Sequence, residues 1–406
     1  MIDKKRGSGY NGCKIDGGRG KRHFLLLLLL VLLPGCTAQE LTPEYQEEWA
    51  QGGELWASEY LFGQEGYYAM ASISQETGGF LYQLNYTPYG SQESVPLCPK
   101  PNCDHRDLES CGACFSDAVL VKETEDGLYL LTHDQQTRAL QLILLRDLTR
   151  EVIWQRMPQE ASSSDESYSL DTSESDIVVG EDQIVLGIRH THTWMNEARD
   201  GYEWEQQYEV ALLSLSTGEC CSLWSFPYYE RDGEFDFIGM LGAWEYQAYL
   251  YQTHHGETMD TVIYAVDLRS GEATEAVQLS QKSDYGMVAQ NPLRALDGII
   301  YYEEKQGDTW YIGTYDVRDA SAALRYPLEN GEEMGGIYYA AGLAMTLMRE
   351  DDLDVIITDP IDLQTGERVA NPDPELLNAR LDHGNIYTID SSRKTNADLP
   401  TVEKIP

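Results

Sequence analysis

Three things are scarce in this chain of 406 residues. Helical periodicity is the first: no segment sustains apolar residues at spacings of three and four over a dozen positions, which argues against an α/β fold. Positive charge is the second. Lys and Arg number 29 against 68 Asp and Glu, a formal charge of −39, and such a surface repels polyanions; binding a nucleic-acid backbone needs clustered cations to displace counterions. Long apolar runs are the third. The run from Phe24 to Leu33 is ten residues, about half of the roughly twenty needed to span a bilayer. Catalytic signatures are missing as well: there is no zinc-protease helix motif, nucleophile elbow, P-loop or dinucleotide fingerprint. No catalytic residue is nominated on this basis, and a non-enzyme is the favoured class.

What is present begins with that short apolar run. Lys21-Arg22-His23 precedes it and Leu33-Pro34-Gly35-Cys36 closes it. A basic stretch, a short apolar core and a small residue before the cut form the layout of a secretory signal that is removed. The Leu-x-Gly-Cys ending resembles the lipobox of bacterial lipoproteins. That resemblance implies a signal peptide over 1–35, lipidation of Cys36, and a mature protein anchored by lipid to the outer face of the cell membrane. Residues 1–35 carry seven Lys/Arg and two Asp/Glu, so the remainder keeps 22 basic and 66 acidic residues, a charge of −44. Thr37 to Gly53 is polar and aperiodic, so 36–53 reads as the lipidated Cys and a flexible tether.

Strand signals follow. Leu55–Phe62, Tyr67–Ser74 and Phe80–Thr87 are short aromatic or β-branched runs separated by glycine-rich turns. A strand ending in Leu-x-Ser/Thr-Gly-Glu recurs at Leu215–Glu219, Leu268–Glu272 and Leu363–Glu367, with a degenerate copy at Tyr315–Asp319. The glycines Gly218, Gly271 and Gly366 are 53 and 95 residues apart, one unit and nearly two units of about 47. A second element, Asp/Asn/Gly before a strand, appears at Asp126-Gly127, Asp297-Gly298 and Gly384-Asn385. A period of 40 to 50 residues built of short strands predicts an all-β fold, a β-propeller of six to seven blades with seven preferred, occupying 54–406. Blades are expected at 54–98, 117–157, 176–226, 235–280, 290–330 and 334–370, with 378–406 as a short seventh or a closing strand. The Ser- and acid-rich stretch 158–176 is expected to be a mobile loop between blades.

The densest chemistry lies in Cys98-Pro99-Lys100-Pro101-Asn102-Cys103-Asp104-His105 and Cys111-Gly112-Ala113-Cys114. Cys98, Cys103, His105 and Cys111 supply three thiolates and an imidazole, a tetrahedral set for one structural zinc. Disulfides among Cys98, Cys103, Cys111 and Cys114 are the alternative, as exported proteins favour them. Here the chain resembles a group of uncharacterised propeller-like lipoproteins from anaerobic Gram-positive bacteria, whose first blade ends in Leu-Cys-x-Lys-Pro-x-Cys-x-His followed by a further Cys. Residues 97–111 match that form, and Cys114 is additional to it. The resemblance implies a secreted propeller and no particular activity.

Other constellations read as structural. His190 and His192 share a strand face and have no evident third ligand; His254-His255 is no better placed. In the vicinal pair Cys220-Cys221 one thiol is expected buried and the other exposed, and Gly307-Asp308-Thr309-Trp310 reads as a hairpin turn. The function favoured by these residues is a monomeric, non-catalytic binding propeller for a glycan, peptide or envelope partner. A glycoside hydrolase or lyase using channel-facing carboxylates is the alternative, and a structural or sensory envelope component is the other.

Overall fold

The computed structural model describes Trp49, residues 53–54 and residues 60–405, apart from 75–79, 107, 109–110, 135, 197–200, 229, 232–233, 256–257, 280–281, 284–292, 330, 350–354 and 383–384. The expected signal peptide and Cys36 lie outside the described residues. Seven antiparallel sheets succeed one another along the chain, at 60–115, 119–156, 166–228, 230–283, 294–327, 332–362 and 379–405. The chain is a seven-bladed β-propeller. The strands found at Val119, Arg294, Glu332 and Ala379 start within four residues of the expected blade starts at 117, 290, 334 and 378.

Alternation along each strand explains the packing. In Gln183–Met195, Ile184, Leu186 and Ile188 pack with Leu140, Leu142 and Leu144 of blade 2, while Val185 turns the other way and joins Met240 and Leu250 of blade 4. A blade is buried on both faces because it has a neighbour on both sides, and each such aliphatic side chain stabilises the ring by about 1.5–3 kcal/mol.

The recurring turn has a physical reason. Gly218 and Gly271 have φ of 70° and 71°, and their N–H groups bond back to the carbonyls of Ser214 and Asp267 at 3.1 and 2.8 Å. A Cβ on either would meet the Ile153 or Leu223 carbonyl oxygen of the preceding blade at 2.3 or 2.2 Å. Glycine is therefore demanded twice, by the left-handed backbone and by the blade next door. The leucine of the motif fills the seam: Leu215 and Leu268 are buried in the clusters that join blades 2 and 3 and blades 3 and 4.

Closure of the ring does not use strand exchange among the described residues. Blade 7 is a three-stranded sheet of its own. Its Tyr387 stacks on Phe62 of blade 1 at 4.2 Å, Tyr67 donates to the Pro400 carbonyl at 2.5 Å, and Gly90 N–H donates to the Val402 carbonyl at 2.9 Å. Tyr67, Ala69 and Ala71 complete that seam against Leu399 and Val402.

Two expectations are corrected. The stretch 36–53 is not wholly a tether: Trp49 is 1% exposed in the seam of blades 3 and 4, donating its Nε1–H to Gln183 at 3.0 Å and accepting the Tyr246 N–H at 3.1 Å. Gly53–Glu54 then adds a short strand to Glu234–Trp244, the first strand of blade 4. An indole large enough to fill a seam outweighs the polarity of its neighbours. The stretch 158–176 is not wholly a loop either. Glu166–Asp171 is a strand paired residue for residue with Asp171↔Arg189 through Glu166↔Trp194. Its alternation of Tyr168 and Leu170 with serines is a half-buried strand pattern that the local acid and serine content obscures. Asp176 is wholly buried, gripped by Arg189 at 2.6 Å and by Tyr208 OH at 2.9 Å.

Candidate metal centre and axial cavity

The cysteine segment is an excursion from the outer edge of blade 1. Val95–Pro96 pairs with Asn85 and Tyr86, and Cys114–Phe115 pairs with Tyr82 and Gln83 of the same strand, so residues 97–113 leave and rejoin one edge. Asn102 and His105 take left-handed backbones, φ 60° and 55°, and fold the excursion on itself. The result brings one donor atom each from Cys98, Cys103, His105 and Cys111 within 4.8 Å of one another. Sulfur donors of a tetrahedral zinc, each about 2.3 Å from the metal, stand about 3.8 Å apart, so this set fits one ion with little movement. His105 Nδ1 is 3.3 Å from Cys111 Sγ. Cys114 stands outside the set; its thiol donates to the His105 carbonyl at 3.0 Å and holds the backbone of that candidate ligand.

All six described cysteines are free thiols, so the disulfide alternative is not what the structure holds. Burial pushes the Cys111 and Cys114 thiols up. Burial pushes Cys98 up too, but the Lys100 N–H, the Cys111 thiol and the Gly112 N–H outweigh it and lower this thiol. Cys98 thus ionises more readily than Cys111 or Cys114, and the thiolate is the form that binds metal.

Sequence reasoning missed the residue that fixes this loop. Arg150, on the outer strand of blade 2, donates to the carbonyls of Cys111, Gly112 and Cys114 at 3.3, 2.9 and 2.5 Å and lies 4.0 Å above the Phe115 ring. A metal with three thiolates would carry one net negative charge, and the guanidinium offsets it. No local signal marks Arg150, because its partners lie 36 to 39 residues earlier.

Three of the paired histidines, His190, His192 and His254, are held by carboxylates. His190 Nε2 meets Glu209 at 2.7 Å and His192 Nδ1 meets Glu205 at 3.1 Å. Both share a face as expected, and their carboxylate partners disfavour an anion there. His254 Nδ1 meets Asp236 at 2.8 Å. Cys220 and Cys221 are both half-buried rather than divided between core and solvent; Cys220 faces Arg156 at 3.5 Å, and burial pushes its thiol up to about 11. Gly307, φ 64°, makes the hairpin turn between Ile299–Gln306 and Thr309–Asp316.

A cavity of about 1830 Å³ runs along the ring axis, lined by residues of all seven blades. First strands supply its wall, and turns between first and second strands, such as Gly63–Glu65 and Asp297–Gly298, supply its mouth. Tyr60, Tyr68, Tyr86, Tyr251 and Tyr339 reach it. Tyr68 donates to Glu123, and burial followed by that carboxylate raises its phenol strongly.

No protein-family model matches the chain, and no curated protein matches it. Solved structures similar to it include an oligogalacturonate lyase in complex with manganese, at 9% identity over 84% of this chain and 96% of that one, TM-score 0.37. The β-propeller domain of the trilobed protease from Pyrococcus furiosus is similar at 8% identity over 86% and 92%, TM-score 0.40. Saccharomyces cerevisiae Sqt1 is similar at 10% identity over 88% and 97%, TM-score 0.36. A propeller fold does not fix an activity, since propellers host unrelated ones.

Proposed function

We propose that the chain is a lipid-anchored, extracytoplasmic binding propeller that takes a glycan or peptide in its axial cavity without chemical turnover. Its Cys98, Cys103, His105 and Cys111 loop holds one structural zinc. The observation that carries the reading is the cavity, large enough for a small oligomeric ligand and lined by tyrosines and charged groups. The Cys/His loop leaves the blade edge, and a zinc with four protein ligands keeps no open position for water, so the metal staples the fold. Asp176, a carboxyl whose pKa burial raises against the pull of Arg189, is enclosed and bound by Arg189 and Tyr208. It is not placed to protonate a leaving group on a bound sugar.

The test is an array of glycans and short peptides probed with the full chain, beside a product assay on the same compounds. Saturable binding without product is expected; turnover of any sugar would overturn the non-catalytic reading. Lipid attachment is tested separately: Cys36→Ala is expected to move the chain out of the membrane fraction and to abolish labelling by a fatty-acid analogue.

A further inference from the structure

The charges around the cavity are not mixed evenly. Blades 1 to 4 contribute Glu65, Glu123, Glu125, Glu174 and Glu245, with Lys122 the single cation among their lining residues. The Lys122 ammonium is already taken, donating to the Gly180 and Glu181 carbonyls at 2.7 Å each. Blades 5 to 7 contribute Arg294, Arg318, Arg380 and Lys404 against Asp297 and Asp382. In a chain with 29 basic and 68 acidic residues, four cations on one arc of one cavity do not follow from composition.

Two of these cations form no ion pair among the described residues, although Asp382 stands two residues from one of them. Arg318 pairs with Asp316 at 2.6 Å, and Arg294 donates to the Leu293 carbonyl at 2.7 Å. Arg380 and Lys404 are both exposed and have no ion pair among the described residues; the Lys404 ammonium lies 5.8 Å from the Tyr387 ring centroid. Register sets them on either side of that ring, since Tyr387 is the direct partner of Arg380 on one strand and of Lys404 on the other. Directly opposed residues share a face, and two strand spacings separate the cations by about 10 Å at the backbone. Their long side chains can converge on one anion over the edge of Tyr387, which is itself pinned by its stack on Phe62. An arginine fork beside an ammonium matches a carboxylate.

We propose that Arg380 and Lys404 form a carboxylate site at the cavity mouth, and that the ligand is a short peptide with free termini. The acidic arc of blades 1 to 4 selects the charge type. It repels ligands of high negative charge density, such as polyphosphates or polyuronates, and attracts the ammonium of a ligand that carries both signs. An extended tripeptide is about 10 Å long and presents its two ends with opposite charge. This inference rests on the cavity being a ligand site, and it narrows that reading to one chemistry.

Titration calorimetry of the full chain with tri-alanine, its N-acetyl form and its C-terminal amide tests it, with galacturonic acid trimer and a neutral trisaccharide as comparators. Tri-alanine is expected to bind, and C-amidation to weaken it at least tenfold. The Arg380→Gln/Lys404→Gln double variant, at an unchanged melting temperature, is expected to bind tri-alanine equally poorly. N-acetylation is expected to weaken binding less, and raised salt to weaken binding of the free peptide. Binding of the neutral trisaccharide without any of the peptides, or of galacturonic acid trimer alone, would overturn the peptide site while leaving the binding propeller intact. Equal binding of the free acid and the amide would overturn it also, and no binding by any compound would overturn both readings.

Discussion

His133 stands between two groups that only accept hydrogen bonds, the Asp117 carboxylate at 2.6 Å from Nδ1 and the Leu170 carbonyl at 2.8 Å from Nε2. Both can be satisfied only by the doubly protonated ring, and the hydrogen bond that His133 donates to Asp117 raises the His133 pKa above 6.5. A raised folded-state pKa stabilises fully below the unfolded value and loses that contribution as pH rises through the folded one. His133→Gln is therefore expected to cost about 1–2 kcal/mol at pH 6 and much less at pH 9, read from paired urea melts. Glu209 shows the opposite sign. Burial would raise it, but His190 and Arg156 outweigh burial and hold it at about 2 against 4.5. Its contribution, about 3 kcal/mol, is present above 4.5 and lost as pH falls toward 2. Glu209→Gln should flatten the acid limb of the stability curve, and an unchanged limb would contradict the assignment. At this scale the four candidate metal ligands were legible because all lie in one short stretch, whereas Arg150, Asp117 with His133, and Arg380 with Lys404 meet their surroundings only through the fold.

Elements were legible where local chemistry and tertiary need coincide. The Leu-x-Ser/Thr-Gly-Glu turns could be read in sequence because the same glycine serves the turn and the approach of the preceding blade. Gly271→Ala, at φ 71° with the Leu223 oxygen 2.2 Å from the new Cβ, is expected to lose about 2–3 kcal/mol in chemical unfolding. Glu166–Asp171 and Trp49 were illegible because neither looks apolar in its local window; the strand pairs with Arg189–Trp194 of its own blade, and Trp49 meets its partners in the seam of blades 3 and 4. Trp49→Ala is expected to destabilise by about 3–5 kcal/mol, the range for a fully buried aromatic. A melting temperature unchanged from that of the parent chain would show that the segment before blade 1 does not contribute to the ring.

For the molecule as a whole, the period of about 47 residues anticipated the architecture. The manner of closure was not readable, since it depends on Tyr387, Phe62 and Tyr67 meeting across almost the whole length of the chain. A ring whose described residues join blades 7 and 1 by packing and hydrogen bonds, with no strand exchanged between those two, depends on every seam. The cysteine loop sits at one of them: it interrupts the outer strand of blade 1 and is clamped by Arg150 of blade 2, so metal bound there would tie those two blades together. Removing the ion by chelation should lower the melting temperature of the entire ring, and Arg150→Ala should weaken metal retention while Arg150→Lys restores part of it. The most direct test of this account is the metal content of the purified full chain, measured with its free thiols. It predicts one zinc per chain, lost in Cys103→Ser and His105→Ala; less than about half an equivalent of any metal, with the thiols oxidised, would contradict it.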